Sequence, residues 1–263
     1  MNEFKRLVLL MGIIFIMMPQ EVDAQYFRFD PNAPNQQIES EVNVILKFFG
    51  SIVGGGMFHT ADLHGTGGFD VGLRGTVAKV PSEFKGLPVF SEENLLGLAF
   101  AHASLGLPGN FEVIGRFFTM PLGSNADLSA ARPLDSRGDI TLIGAGIKYG
   151  LIQLPGLPKV MVMASYHALL VPDEFDFGTV NVVSFKGVIS HSLPLLTVYA
   201  GAGVDISRLK LNPQFLNGAS ETESLSHLTV GAKVSPFPFV YVNASYNISD
   251  FPSFDFGVGI NFR

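Results

Sequence analysis

Three groups of residues have types and spacing that could do chemistry. The first is Asp205, Ser226 and His227. Asp205 closes one extended stretch and His227 opens the next, so an acid and a base could face each other across adjacent strands, with Ser226 as a nucleophile. Neighbours in a strand point to opposite faces, however, which sets Ser226 away from His227. No paired Asp with a further His–Asp set accompanies them, so no catalytic residue is assigned and no enzyme is expected. The second group is GAGIKYG, Gly144 to Gly150. It lacks the G-x-G-x-x-G spacing and the following helix of a nucleotide loop. The third is a set of nine charges inside otherwise apolar stretches: Asp70, Arg74, Glu112, Arg116, Lys148, Lys186, Asp205, Lys233 and Asp255. What these charges can do depends on the elements that carry them.

Composition limits those elements. Of 263 residues, 47% are apolar and 15% charged, with 24 Phe and 29 Gly but no Cys and no Trp. A charged share of about 25% is usual for a soluble domain. The balance excludes a disordered chain, a disulfide-built module and a thiolate zinc site, and no metal or cofactor signature is present. Met1 to Ala24 reads as a cleaved secretory signal: Lys5 and Arg6, an apolar core from Leu7 to Met18, and Val22-Asp23-Ala24 before the cut. Its removal leaves 15 basic against 20 acidic residues, which argues against nucleic acid as a partner. No later stretch is long and apolar enough for a spanning helix. An exported, apolar chain of this kind has one other solution in lipid, a closed β-barrel.

Period two supports it. Phe254, Phe256, Val258, Ile260 and Phe262 alternate with Asp255, Gly257, Gly259 and Asn261. The same bias recurs along the chain and predicts ten strands, near 68–80, 95–104, 111–120, 138–152, 159–168, 176–190, 195–208, 226–234, 239–248 and 253–263. Eight or twelve are the alternatives. The register of the second strand is ambiguous, because Gly97, Ala99, Ala101 and Ala103 oppose large apolar residues. Every second gap is short and holds proline, whereas gaps 81–94, 121–137 and 209–225 are long. Short turns on one side and long loops on the other are the layout of an up-and-down outer-membrane barrel. A β-sandwich alternates too, but would expose a more charged surface. In a barrel the nine charges face the lumen, where they either pair into a structural network or line a pore and set its selectivity.

Ahead of the barrel (57–263), residues 25–56 form a separate segment. Ile38, Val42, Ile45 and Phe49 lie on one face of an amphipathic helix predicted over 37–49, and SIVGGG then breaks it. This helix either plugs the lumen from the periplasmic end or lies under the barrel against the membrane. Many inward positions are glycine (Gly72, Gly144, Gly146, Gly201, Gly203, Gly231, Gly257, Gly259), which leaves room in a narrow lumen for water, a ligand or an inserted segment. Glycines that ease strand bending are the alternative.

FGVGINFR, GAGIKYGLIQLPGLPKVMVMASY and GGGMFHTADLHGTGGFDVGLRG resemble an uncharacterised family of bacterial outer-membrane β-barrel proteins. The helix-then-barrel layout is more loosely similar to long-chain fatty-acid transporters. These resemblances imply a bacterial outer-membrane location, lipid as surroundings and the barrel-assembly machinery as a partner of the C-terminal strand. The glycine-lined lumen and the helix ahead of it point to a channel or carrier for a small or hydrophobic solute with a partial N-terminal plug. The alternatives are a non-conducting structural or adhesive barrel that acts through its external loops and, behind it, an outer-membrane hydrolase.

Overall fold

The computed structural model describes residues 35–81, 95–121, 139–170, 178–211 and 220–262. The expected signal, most of the long loops and Arg263 lie outside them. Ten antiparallel strands follow one helix: α1 (Asn35–Gly54), β1 (Phe69–Lys79), β2 (Leu95–Leu107), β3 (Phe111–Pro121), β4 (Asp139–Ile152), β5 (Lys159–Leu170), β6 (Gly178–Ser192), β7 (Leu196–Leu211), β8 (Ser220–Phe237), β9 (Val240–Ile248) and β10 (Ser253–Phe262). Each strand pairs with its chain neighbours, and β1 pairs with β10 from Phe69↔Phe262 to Ala78↔Ser253, closing an all-β barrel. Both ends of the wall, Phe69 and Phe262, therefore stand at the short-turn end.

Alternation along the strands sorts residues between two surfaces. On β10, Phe254, Phe256 and Ile260 are exposed on the outer face, while Ser253 and Asp255 are buried inside. On β5, Met161, Met163, Ser165 and His167 point inward. The ambiguous β2 resolves with Phe100, His102 and Ser104 buried inside and Ala101, Ala103 and Leu105 exposed outside. Gly109 and Asn110 both take positive φ (78° and 62°), the geometry of the tight turn joining β2 to β3.

Three boundaries differ most from the sequence pattern. Strand β8 begins at Ser220 rather than 226, because Ser220-Glu221-Thr222-Glu223-Ser224 is polar on both faces and shows no apolar period, yet pairs with β7 up to Lys210. The gap expected at 209–225 shrinks accordingly to 212–219. The helix continues through Ser51-Ile52-Val53-Gly54, where a break was expected. Ile52 and Val53 are fully buried against the inner wall, and that packing outweighs the glycines' low helix propensity. Finally, residues 57–64 are not wall: they continue α1 through the lumen, and the barrel starts at Phe69.

Candidate functional site

The lumen is occupied by the chain's own N-terminal segment. At the long-loop end, Phe48 and Ile52 pack with Ala78 and Val80, and Phe48 meets the Phe251 ring edge-on at 5.5 Å. Val53 packs with Phe100, Leu142 and Val182. Lys47 pairs with Glu223 at 3.1 Å. The chain then descends, and Met57, Phe58, Ala61 and Leu63 cluster with Ile114, Met161, Met163, Val188 and Tyr199 nearer the short turns. At the bottom the Leu63 amide donates to Gln153 Oε1 (3.1 Å), and the Ala61 amide to Ser190 Oγ (2.9 Å). The segment therefore runs from the long-loop mouth down to the short-turn mouth before β1 turns back up. This reverses the expected direction: α1 sits at the long-loop end, not at the short-turn end from which a plug was expected to enter. Of its expected apolar face, Phe49 packs beside Val53 and Phe100, and the side chains of Ile38, Val42 and Ile45 lie outside the described residues.

Around and between these apolar clusters lie buried polar groups. All nine of the charges singled out above are buried in the barrel, five cations against four anions. They fall into small groups. Lys148 Nζ donates to Glu112 Oε1 at 2.6 Å, and the His64 amide and ring Nδ1 reach Glu112 Oε2 at 3.0 and 2.8 Å. Around Asp70, Tyr241 donates to Oδ1 at 2.7 Å and His102 Nε2 lies 3.2 Å away. Arg74 donates to the Tyr241 hydroxyl at 3.0 Å and contacts His59 Nδ1 at 2.5 Å, while the His59 ring stacks on Tyr241 at 4.5 Å. Lys233 lies 5.2 Å over the Tyr241 ring. Asp255 accepts from Thr76 (2.8 Å) and Asn247 (2.8 Å).

The remaining cations hold the helix. Lys186 Nζ donates to the Gly54 carbonyl and Arg116 Nη1 to the Gly55 carbonyl, both at 2.7 Å. A helix leaves its last carbonyls without partners and carries partial negative charge at that end. Here two buried cations satisfy both needs. Lys186 also contacts Asp205 at 3.4 Å and His227 Nε2 at 3.1 Å, and His227 Nδ1 lies 3.2 Å from Asp205. Asp205 and His227 do meet across β7 and β8, but both imidazole nitrogens are occupied, and Ser226 is exposed on the other face.

The inward glycines receive the large groups. A Cβ on Gly201 would stand 2.7 Å from the Phe58 ring, one on Gly231 2.5 Å from Tyr199, and one on Gly259 2.5 Å from the Tyr241 hydroxyl. The space they leave is thus filled by the inserted segment and by tyrosines folded over the facing strand. In the described lumen the polar cavity beside Ser51, Asp205 and His227 measures about 10 Å³, room for about one water. His59, His64, Tyr241 and Phe58 were not singled out from the sequence. His59, His64 and Phe58 precede the wall, so no strand alternation flags them. Tyr241 shares period two with the polar face of β9 and could have been found there.

Residues 84–262 match the family described as "Family of unknown function (DUF6588)". Among curated proteins, none matches the chain. Among solved structures, the chain is similar to the N-terminal β-barrel domain of Pseudomonas aeruginosa OprF (18% identity, TM-score 0.34, covering 58% of this chain and 98% of that one). It is also similar to Ail, the attachment invasion locus protein of Yersinia pestis, in complex with the heparin analogue sucrose octasulfate (14%, 0.31, 76% and 100%). A third is the Ralstonia pickettii toluene transporter TbuX (10%, 0.28, 76% and 90%). Overlaps of this size carry no argument about what the chain does, and the looser likeness to long-chain fatty-acid transporters gains nothing from them.

Proposed function

The chain belongs to the family of unknown function DUF6588, and we propose that it is a bacterial outer-membrane barrel that passes a small or hydrophobic solute when its N-terminal segment leaves the lumen. Membrane residence is supported by the outer face, where Phe, Leu, Val and Ile are exposed on strand after strand while the charges are buried within. That distribution inverts the rule for soluble proteins. With the short turns in the periplasm, α1 closes the external mouth, and β10 supplies the strand for the assembly machinery.

The observation that carries the gate is how the segment is held. Its carbonyls at Gly54 and Gly55 rest on Lys186 and Arg116, and its imidazoles on Asp70, Arg74 and Glu112. Water can replace these polar contacts when the segment withdraws, while the apolar contacts of Phe48, Ile52, Val53, Met57 and Phe58 are what its withdrawal has to give up. Gly54, Gly55 and Gly56, the last at φ 64°, form a joint at the foot of the helix. Planar-bilayer conductance tests the reading. The mature chain should be closed with rare openings, and a variant lacking residues 25–64, the whole of the lumen segment, should conduct steadily. If neither conducts and no lipid or other apolar solute copurifies, the transport reading fails.

The small residual cavity favours a second reading, a permanently closed barrel acting through its loops. The same recording separates the two. In neither reading is the protein an enzyme or the holder of a cofactor.

A further inference from the structure

The turns at the short end of the barrel are unlike turns that stand in water. The segments joining β4 to β5 (QLPGLP), β6 to β7 (LPL after Ser192) and β8 to β9 (Pro238-Phe239) contain no charged residue. Leu154, Leu157, Leu193, Leu195, Phe237 and Phe239 are each 50–64% exposed there. The adjacent cation, Lys159, turns its ammonium to the Gln153 carbonyl (2.7 Å) and Asp62 (3.7 Å).

Their backbone is suited to a place without water. Pro155, Pro158, Pro194, Pro236 and Pro238 have no N–H to satisfy. Other donors are used internally: the Leu193 amide reaches the Leu196 carbonyl (2.7 Å), and the Ser235 amide reaches the Leu195 carbonyl of the neighbouring turn (2.9 Å). In hydrocarbon an unsatisfied backbone group costs several kcal/mol, so turns with few free donors are the ones that can be immersed.

The height of the apolar band agrees. On the outer face of β8, Ser224 and Ser226 are polar and the apolar run begins at Leu228. From Leu228 to Phe237 the strand rises about 23 Å, at about 3.3 Å per residue and a tilt of about 40°. On β7 the outer face turns charged at Arg208, and Ile206 to Leu195 spans about 28 Å by the same measure. A barrel's lipid-facing band is about 25 Å tall. Measured down from Ser226, that thickness ends at the turn joining β8 to β9, and on β7 the apolar run down to Leu195 is as long as the band or longer.

We propose that the short-turn rim is a lipid-binding surface, with Leu154, Leu157, Leu193, Leu195, Phe237 and Phe239 embedded among the acyl chains of the leaflet on that side. The inference rests on the membrane reading above and deepens it: the barrel sits low in the bilayer, with its long-loop half raised. The rim is continuous with the apolar wall, through Leu151 and Ile152 into Leu154 and through Val234 into Phe237, and this continuity selects lipid over a separate partner.

The chain has no tryptophan, so a single introduced one reports its own site. Leu157→Trp, Leu195→Trp and Phe239→Trp would each be reconstituted as full mature chains in phosphatidylcholine vesicles with brominated acyl chains. Val230→Trp marks the middle of the wall and Ser224→Trp the raised side. All five sites face outward, and unboiled gel migration checks that each variant is folded. The proposal expects blue-shifted emission at the three rim sites, quenched by bromine to the same degree as Val230→Trp, with Ser224→Trp red-shifted and unquenched. Red emission and no quenching at the rim, while Val230→Trp is quenched, would overturn it and leave the membrane reading standing. Blue emission that bromine does not quench would also overturn it, in favour of a second copy or another protein covering the rim. An unquenched Val230→Trp would remove the membrane reading itself.

Discussion

Glu112 shows how the interior charges depend on one another. Its two oxygens serve Lys148 on β4 and His64 in the inserted segment, and all three groups are buried. Removing one member of such a pair strands the other charge, at a cost of about 3–5 kcal/mol, whereas replacing both with apolar groups of similar size is often close to neutral. Glu112→Met should therefore lower the temperature at which the unboiled band converts to the unfolded form far more than Glu112→Met/Lys148→Met does. Equal losses in the two variants would show that Glu112 matters for anchoring His64 rather than for neutralising Lys148. All nine lumen charges stood out in the sequence, because a charge within an outward-apolar alternation has to sit on the opposite face. Their partners were less legible. His59 and His64 reach Asp70 and Glu112 from 11 and 48 residues away, from a stretch with no strand period to place them.

At the scale of the element, α1 matters through its C-terminal end. The amphipathic spacing made a helix legible, but neither its mouth of the barrel nor its extension to Gly54 could be read. Both depend on the inner wall. Leu96, Leu98, Phe100, Leu142 and Val182 make the long-loop half of the lumen apolar, and this is where Phe48, Ile52 and Val53 dock. In β2 the same residues blurred the alternation, because large apolar groups face inward there and alanines face outward. Ambiguity in that strand was itself a mark of the helix. If Lys186 and Arg116 hold the helix end, Lys186→Met/Arg116→Met should weaken its seat by about 1.5–3 kcal/mol per lost charged hydrogen bond. Bilayer recordings should then show openings at least tenfold more frequent than in the native protein. Unchanged opening frequency would mean that the apolar contacts alone keep the segment in place. Phe58→Ala tests those contacts: the cavity beside Gly201 and Tyr199 should cost about 3–5 kcal/mol, read as faster proteolysis within residues 55–68.

At the scale of the whole molecule, the barrel, its ten strands and the sorting of its two faces follow from period two and from alternating gap lengths. The polar start of β8 did not, since a strand that rises clear of the apolar band has no need to alternate. Glycine surplus pointed to something within the barrel, and the occupant is the chain itself. The central claim is that this occupant closes the barrel and can move. Gly50 and Ser207 allow it to be locked: a Cβ on Gly50 would lie 3.3 Å from that of Ser207, close to the separation a disulfide spans, in a chain with no other cysteine. The most direct measurement is the planar-bilayer conductance of Gly50→Cys/Ser207→Cys, oxidised and then reduced in the same membrane. The account predicts silence while the disulfide holds α1 against β7, and openings that return on reduction to the native frequency. Equal conductance in the two states would contradict it: equal currents would mean that ions pass without the segment moving, and silence in both that the segment does not move to open the barrel.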